Sequence, residues 1–152
     1  MKSKQATPKV LLDTSFILPS LGIDAGEEVP KGLRRLAEVR AEIYYSSFSI
    51  LESLWVATRL STSTTIDEES FSLGLRSIIE GGGYRKVEED SKTFSDALRL
   101  YVLGHKDMID NILYASSINF NLKLLTLDKE LKEFIDAREL KDTLVSPNQL
   151  AH

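Results

Sequence analysis

Two kinds of apolar pattern alternate along this chain. Short runs with β-branched or aromatic members, the first at 9–12 (KVLL), are typical of strands buried on both faces. Longer segments with apolar residues at every third or fourth position predict helices between them. Strands that alternate with helices form mainly parallel sheets, with right-handed crossovers and helices on both faces. We therefore expect an α/β three-layer sandwich with a central sheet of four or five strands.

The predicted elements follow one another without an internal repeat. The expected strands are 9–12, 41–47, 84–88, 122–127 and 142–146. The expected helices are a short or broken one from Ser15, then 30–40, 48–61, 67–80, 91–103, 107–119 and 128–137. We expect Ser91 to cap its helix and Gly104 to end it. Residues 1–8 are interpreted as a flexible tail, and 9–150 as a single domain with a helical segment at about 61–103.

Composition describes a soluble globular protein and restricts its chemistry. The 152 residues are 42% hydrophobic and 28% charged, and no apolar run is long enough to span a membrane. There is no cysteine, which excludes thiolate chemistry and agrees with the cytoplasmic location that we expect. With only His105 and His152 present, histidine-based metal sites and Ser-His-Asp triads are nearly excluded. Any chemistry must therefore be carried by carboxylates.

Two aspartates stand where predicted strands end. Asp13 follows the strand at 9–12, and Asp128 follows the strand at 122–127. Sites in parallel sheets form beyond the carboxyl ends of the strands, so these two side chains are expected near each other. Taken alone, each is also explained as an N-cap of the helix that follows it, because aspartate is a favoured capping residue.

Two further acids lie within predicted helices. Asp107 is expected to cap its helix, and Asp110 then lies one turn in, among apolar residues. Glu52 lies in the middle of the helix at 48–61, in an apolar stripe, where an ionised carboxylate is costly unless paired or bound to a metal. Arg59, on the same helix face, is the alternative partner.

A cluster of these acids would need compensation. Two carboxylates about 4 Å apart repel by roughly 4 kcal/mol at an effective dielectric constant near 20. Shared protons or divalent cations relieve such repulsion. A ligand set of oxygen atoms alone is typical of Mg²⁺ or Mn²⁺. The net charge of −4 argues against a general nucleic-acid coat but not against an enzyme with an acidic site.

Three segments resemble, in order and spacing, the motifs of the PIN-domain ribonuclease family, which includes toxins of toxin–antitoxin pairs: VLLDTSFIL, SSFSILESLWV and DNILYASSINFNLKLLTLDKEL. The resemblance extends from Lys9 to about Ile135. It implies four catalytic and metal-binding acids, namely Asp13, Glu52, Asp110 and Asp128. It also implies assisting hydroxyls at Thr14 or Ser15 and at Thr126.

Two positions depart from the family pattern. Asn111 follows the third acid, where small apolar residues are common. Asp107 leaves open which aspartate, Asp107 or Asp110, takes the third role.

The resemblance implies cleavage of single-stranded RNA by a water molecule activated by Mg²⁺ or Mn²⁺. Asp13 and Asp128 would hold the principal ion, Asp110 would complete or orient it, and Glu52 would contact a second ion or the water. The product would carry a 5′-phosphate. We expect a toxin, forming a homodimer and partnered by an antitoxin. The alternatives are an RNA-processing nuclease and an inactive PIN-like scaffold.

Cationic and aromatic side chains are candidates for holding the RNA, although each is also explained as a solvated or core residue. The candidates are Arg34, Arg35, Arg40, Arg59, Arg85, Lys86 and Lys106, with Tyr84 or Tyr114 stacking on bases. His105 is expected on a surface loop rather than in catalysis.

Overall fold

Five strands and six α-helices alternate along the part of the chain that the computed structural model describes, residues 6–63 and 65–150. The strands are β1 (Lys9–Leu12), β2 (Glu42–Tyr45), β3 (Tyr84–Lys86), β4 (Lys123–Leu125) and β5 (Leu144–Val145). The helices are α1 (Glu28–Glu38), α2 (Ser47–Leu60), α3 (Glu68–Glu80), α4 (Ser91–Leu103), α5 (Met108–Asn119) and α6 (Lys129–Ala137). Short 3₁₀ turns lie at Thr14–Phe16, Leu18–Leu21 and Pro147–Gln149. Residues 1–5 of the predicted tail, and His152, lie outside the described residues.

The strands form one parallel sheet in the order β3-β2-β1-β4-β5. β1 is central, and Leu11 pairs in register with Tyr44 on one side and Leu124 on the other. Side chains alternate between the two faces of a strand. Val10 and Leu12 accordingly pack in one hydrophobic core and Leu11 in the other. The predicted three-layer α/β sandwich is confirmed.

The hydrogen-bond ladder fixes where the strands end. The N–H of Asp13 donates to the carbonyl of Leu125 (3.0 Å), and the N–H of Thr126 donates to the carbonyl of Val145 (3.1 Å). Both residues are thus the last paired positions of their strands. Because all five strands are parallel, the residues that follow them share one edge of the sheet.

The segment after β1 is helical and broken, as expected, although its turns are 3₁₀ rather than α-helical. It forms two 3₁₀ turns, with Pro19 in the first turn of the second and Gly22 in the left-handed conformation at its end. Helix α3 packs closely on this second turn. A Cβ atom on Gly74 would lie 2.1 Å from the carbonyl oxygen of Ser20, so only glycine permits this approach.

The predicted helix caps were right at Gly104 and wrong at Ser91. Gly104 ends α4, and its N–H donates to the carbonyls of Leu100 and Tyr101. The cap at the other end is Asp90, whose Oδ1 accepts from the N–H of Thr93 (2.9 Å). Asp90 and Ser91 are both residue types that cap helices. The helix already includes Ser91, so the capping position is that of the preceding residue, Asp90.

Among the described residues, no helix is long and apolar enough to cross a membrane.

Candidate metal-binding active site

Asp13 is held rigidly at the end of β1. Its Oδ1 accepts from the N–H of Thr14 (2.7 Å), and its Oδ2 accepts from the hydroxyl of Thr126 (2.7 Å). It caps the first 3₁₀ turn and is only 9% exposed. Burial raises the pKa of Asp13 to about 6, although the hydrogen bonds from Thr126 and Thr14 oppose the rise; the charges of Glu52 and Asp128 add to it.

Asp128 stands three residues after β4, and its Oδ1 caps α6. That oxygen accepts from the N–H groups of Glu130 (2.9 Å) and Leu131 (3.2 Å). The N–H of Asp128 itself donates to the hydroxyl oxygen of Thr126 (3.0 Å). Since the same hydroxyl donates to Asp13, Thr126 connects the two acidic positions. Asp13 and Asp128 therefore each cap a helical turn and also belong to the acidic cluster.

Asp110 reaches this edge from the first turn of α5. Asp107 is the cap of that helix, as predicted, because its Oδ1 accepts from the N–H of Asp110 (3.1 Å). The side chain of Asp110 is 9% exposed and hydrogen-bonded to that of Asp128. Burial, this bond and the nearby charge of Asp13 raise the pKa of Asp110 to about 10.

The hydrogen bond has the opposite effect on Asp128. Burial would raise the pKa of Asp128, but the bond from Asp110 and the N–H groups of Leu131 and Glu130 outweigh it and lower that pKa. The pKa values of Asp110 and Asp128 thus move in opposite directions, which is typical of carboxyl groups close enough to titrate together.

Glu52 completes the cluster from the middle of α2. It is half-buried and lines an open pocket of about 320 Å³. The pocket is bounded by Asp13, Ser15, Glu52, Asp110, Leu127 and Asp128. All four predicted acids therefore come together, with Ser15 beside them. Asp107 does not line this pocket.

The surroundings of Glu52 differ from the expected buried apolar stripe. The buried face of α2 consists of Ser49 and Ser53, whereas Leu51 is 39% exposed and Trp55 is 50% exposed. Other apolar side chains of α2, those of Ile50, Val56 and Leu60, are partly buried against the core. Among the described residues, no ion pair joins Glu52 to Arg59.

His105 was predicted on a surface loop, and that prediction is wrong. The residue is 8% exposed, and its Nδ1 lies 2.7 Å from Oδ1 of Asn111, which is fully buried. The amide of Asn111 also donates to the backbone carbonyl of His105 (2.8 Å). A ring nitrogen of His105 and carboxylate oxygens of Asp110 and Asp128 lie within 4.8 Å of one another. The sequence feature that could have indicated the burial of His105 is Asn111, because a buried amide on an apolar helix requires a hydrogen-bonding partner.

The donor set fits a divalent cation. Within the described residues, no lysine or arginine forms an ion pair with any of the four acids. The hydroxyl of Thr14, next to Asp13, is buried without a hydrogen-bond partner in the described part of the chain. Carboxylates without a cationic protein partner are the hard oxygen donors that Mg²⁺ and Mn²⁺ prefer.

The candidate RNA-binding cations are scattered. Arg35 pairs with Glu38, Arg85 with Glu42 and Lys86 with Glu88. Lys106 lies over the ring of Tyr101, 4.3 Å from its centroid. Arg34, Arg40 and Arg59 are exposed on the surface. Arg59 lies on α2 seven residues after Glu52, on the same flank of the helix.

The two tyrosines are not exposed stacking platforms. Tyr114 belongs to the core, and its hydroxyl donates to the carbonyl of Lys141 (2.5 Å). Tyr84 is half-buried at the start of β3. The alternative interpretation as core residues is correct for Tyr114.

Comparison with known proteins identifies the family. The PIN domain family model matches residues 10–136, and the chain belongs to the PIN domain family. This confirms the resemblance seen in the motifs. No curated protein matches the chain.

Several solved structures share the fold. The structure of VapBC2 from Rickettsia felis bound to a DNA fragment from their promoter matches with 15% identity and a TM-score of 0.62, over 91% of this chain and 98% of that one. A toxin–antitoxin complex from Klebsiella pneumoniae matches with 15% identity and a TM-score of 0.55, over 91% and 97%. FitAcB from Neisseria gonorrhoeae matches with 17% identity and a TM-score of 0.54, again over 91% and 97%.

Proposed function

We propose that this chain is a metal-dependent endoribonuclease that cleaves single-stranded RNA, and that it is the toxin of a toxin–antitoxin pair. One observation carries the nuclease proposal. Acids from the end of β1, from α2, from α5 and from the start of α6 meet at the carboxyl edge of a PIN-domain sheet, with no protein cation among the residues that line their pocket.

The acids have distinct tasks in this proposal. Asp13, Asp110 and Asp128, with Glu52, hold Mg²⁺ or Mn²⁺. When bound, the cation supplies Lewis acidity and charge compensation at the phosphate and at the attacking water. Carboxylates must be deprotonated to bind a metal, so we expect binding to release protons from this crowded cluster.

Thr126 orients the site before any ligand arrives. Its hydroxyl donates to Oδ2 of Asp13 and accepts from the N–H of Asp128. Each aspartate is also fixed by backbone N–H groups, Asp13 by that of Thr14 and Asp128 by those at the start of α6. Ligands held in this way need little reorganisation when charge develops on the phosphate.

A second cleft beside the acid pocket suits the RNA strand. The cleft measures about 310 Å³ and shares Leu127 and Asp128 with the acid pocket. Its remaining lining is Thr126, Lys129, Lys132, Leu144, Val145, Ser146 and Gln149. An apolar floor with lysines at the rim complements a nucleobase and its phosphate. Lys129 is exposed and in no ion pair with a described residue, whereas Lys132 pairs with Asp136 and Asp142.

The toxin assignment is supported by a structural neighbour that is described as a toxin–antitoxin complex. Exposed apolar side chains on two helices suit a protein partner, whether an antitoxin or the second copy of a homodimer. They are Leu51, Leu54 and Trp55 on α2, and Phe94, Leu98 and Val102 on α4. The same surface is the specific observation that favours the alternative, an inactive scaffold.

Asparagine substitutions separate the two functions. Asparagine still accepts the capping hydrogen bonds but is a poor metal ligand. D128N should therefore fold and lose cleavage of a fluorescent single-stranded RNA in Mn²⁺. D67N is the matched control, because Asp67 caps α3 in the same way (Ser70 N–H to Oδ1, 3.1 Å) and does not line the acid pocket. Equal cleavage by wild type, D67N and D128N would exclude the nuclease proposal.

A further inference from the structure

A buried amide on α5 is the starting point. Asn111 is completely buried, on a helix whose other buried neighbours are mostly apolar. Both ends of its amide bond the same residue: its Nδ2 donates to the carbonyl of His105 (2.8 Å), and its Oδ1 lies 2.7 Å from Nδ1 of His105. An amide that closes such a ring of two bonds fixes both the backbone and the imidazole of its partner.

The bonding also determines where the imidazole proton lies. Because the NH₂ group of Asn111 already donates to the backbone carbonyl, the atom that faces Nδ1 of His105 is the amide oxygen. An amide oxygen only accepts, so Nδ1 must carry the proton. In the neutral ring the lone pair is then on Nε2, the nitrogen that Asn111 leaves available.

This histidine lies beside the acid pair. A ring nitrogen of His105 and oxygens of Asp110 and Asp128 lie within 4.8 Å of one another. Atoms that bind a common cation are at most about 4 Å apart, since each lies about 2 Å from the ion, so these three atoms need only a small closing movement to share one. No described residue hydrogen-bonds to Nε2.

We propose that His105 is a nitrogen ligand of the cation held by Asp110 and Asp128, and that Asn111 is its positioning residue. The inference rests on the proposed function only in requiring that this site binds a divalent cation. Metal-ligating histidines commonly donate their other ring N–H to an oxygen acceptor that fixes the tautomer, and the bond from Nδ1 to Asn111 is of this kind.

A nitrogen donor changes the expected metal preference. Mg²⁺ prefers oxygen ligands, whereas imidazole favours first-row transition ions. The site should thus bind Mn²⁺ more tightly than Mg²⁺, and the difference should depend on His105. A purely structural role, with the ring packed against Phe134 (centroids 5.3 Å apart), would give no such dependence.

The test measures Mn²⁺ binding to the full chain with Mn²⁺ alone as the probe. H152Q is the background, so that His105 is the one imidazole in the protein. Pulsed electron paramagnetic resonance of the Mn²⁺-loaded protein should show modulation from a directly coordinated imidazole nitrogen. By calorimetry, H105A should weaken Mn²⁺ binding about tenfold or more and leave Mg²⁺ binding nearly unchanged. N111A should weaken Mn²⁺ binding by about tenfold through the loosened ring.

The outcomes separate this inference from the nuclease proposal. Mn²⁺ binding that D128N abolishes, without nitrogen modulation in the H152Q protein and with unchanged affinity in H105A, would overturn the role of His105 and leave the acid site standing. Absence of saturable Mn²⁺ binding in the wild type would overturn both. The nitrogen modulation is read in the folded H152Q protein itself, so the test does not depend on whether H105A folds.

Discussion

Replacing Asp13 with asparagine should stabilise the metal-free protein while abolishing its activity. Asp13 is almost completely buried, and its pKa is raised from 3.8 to about 6. At neutral pH the folded protein must therefore keep a carboxylate ionised where burial disfavours the charge. Asparagine removes that charge and still offers an oxygen to the N–H of Thr14. Thr126 can reverse its hydroxyl and accept from the new amide.

The size of the effect follows from linkage. A carboxyl whose pKa is raised on folding contributes stability that is complete below its unfolded pKa and lost as the pH rises through its folded pKa. For Asp13 the loss falls between about pH 4 and pH 6. The shift of about two pKa units corresponds to about 3 kcal/mol in the free energy of unfolding. At neutral pH this would raise the melting temperature of D13N by roughly 6–12 °C over that of the wild type.

Urea denaturation in EDTA, repeated from about pH 4 to pH 7.5, measures this directly. The free energy of unfolding of D13N minus that of the wild type should grow by about 3 kcal/mol across the range. Added Mn²⁺ should stabilise the wild type, by about 2.7 kcal/mol at a hundred times its dissociation constant, and not D13N. A difference that stays constant with pH would refute the reasoning, because it would mean that Asp13 is not strained by burial.

Three other predictions concern packing, capping and substrate. In urea denaturation, G74A should lower the free energy of unfolding by about 2–3 kcal/mol, because its Cβ would meet the carbonyl of Ser20. The control G83A has open space around the new Cβ and should change the free energy of unfolding by under about 0.5 kcal/mol. D107A should cost about 1 kcal/mol as a lost cap, and its cleavage rate, measured well below the melting temperature, should stay within a few-fold of wild type. K129A should raise KM for RNA several-fold with kcat retained, while K123A, at the opposite edge of the sheet, should not.

The sequence predicted the parts of the site that depend on where strands end. Asp13 and Asp128 follow buried apolar runs, and parallel strands bring their carboxyl ends to one edge, so the chain's pattern alone places these acids together. The cap at Asp107 was predictable for a similar reason, because helix starts depend on local hydrogen bonds.

Other features depend on packing between distant elements, and the sequence does not predict them. The apolar spacing of α2 predicts a buried stripe around Glu52, whereas Leu51 and Trp55 are exposed, because hydrophobic spacing defines a face but not what covers it. The position of His105 between two helices indicates a surface residue, although the loop before α5 folds inward against Asn111 and Phe134. Whether a single polar residue is buried depends on its hydrogen-bonding partners. In this sequence only Asn111, an amide in an otherwise apolar segment, indicated that His105 has such a partner.

Anomalous diffraction from Mn²⁺-soaked crystals is the most direct test of the central claim, that acids from separate elements form one cation site. The account predicts a strong anomalous peak within coordination distance of Asp13, Asp110 and Asp128, with His105 on the side of the last two. A fully soaked crystal with no peak in this pocket, or with peaks only elsewhere on the surface, would contradict it.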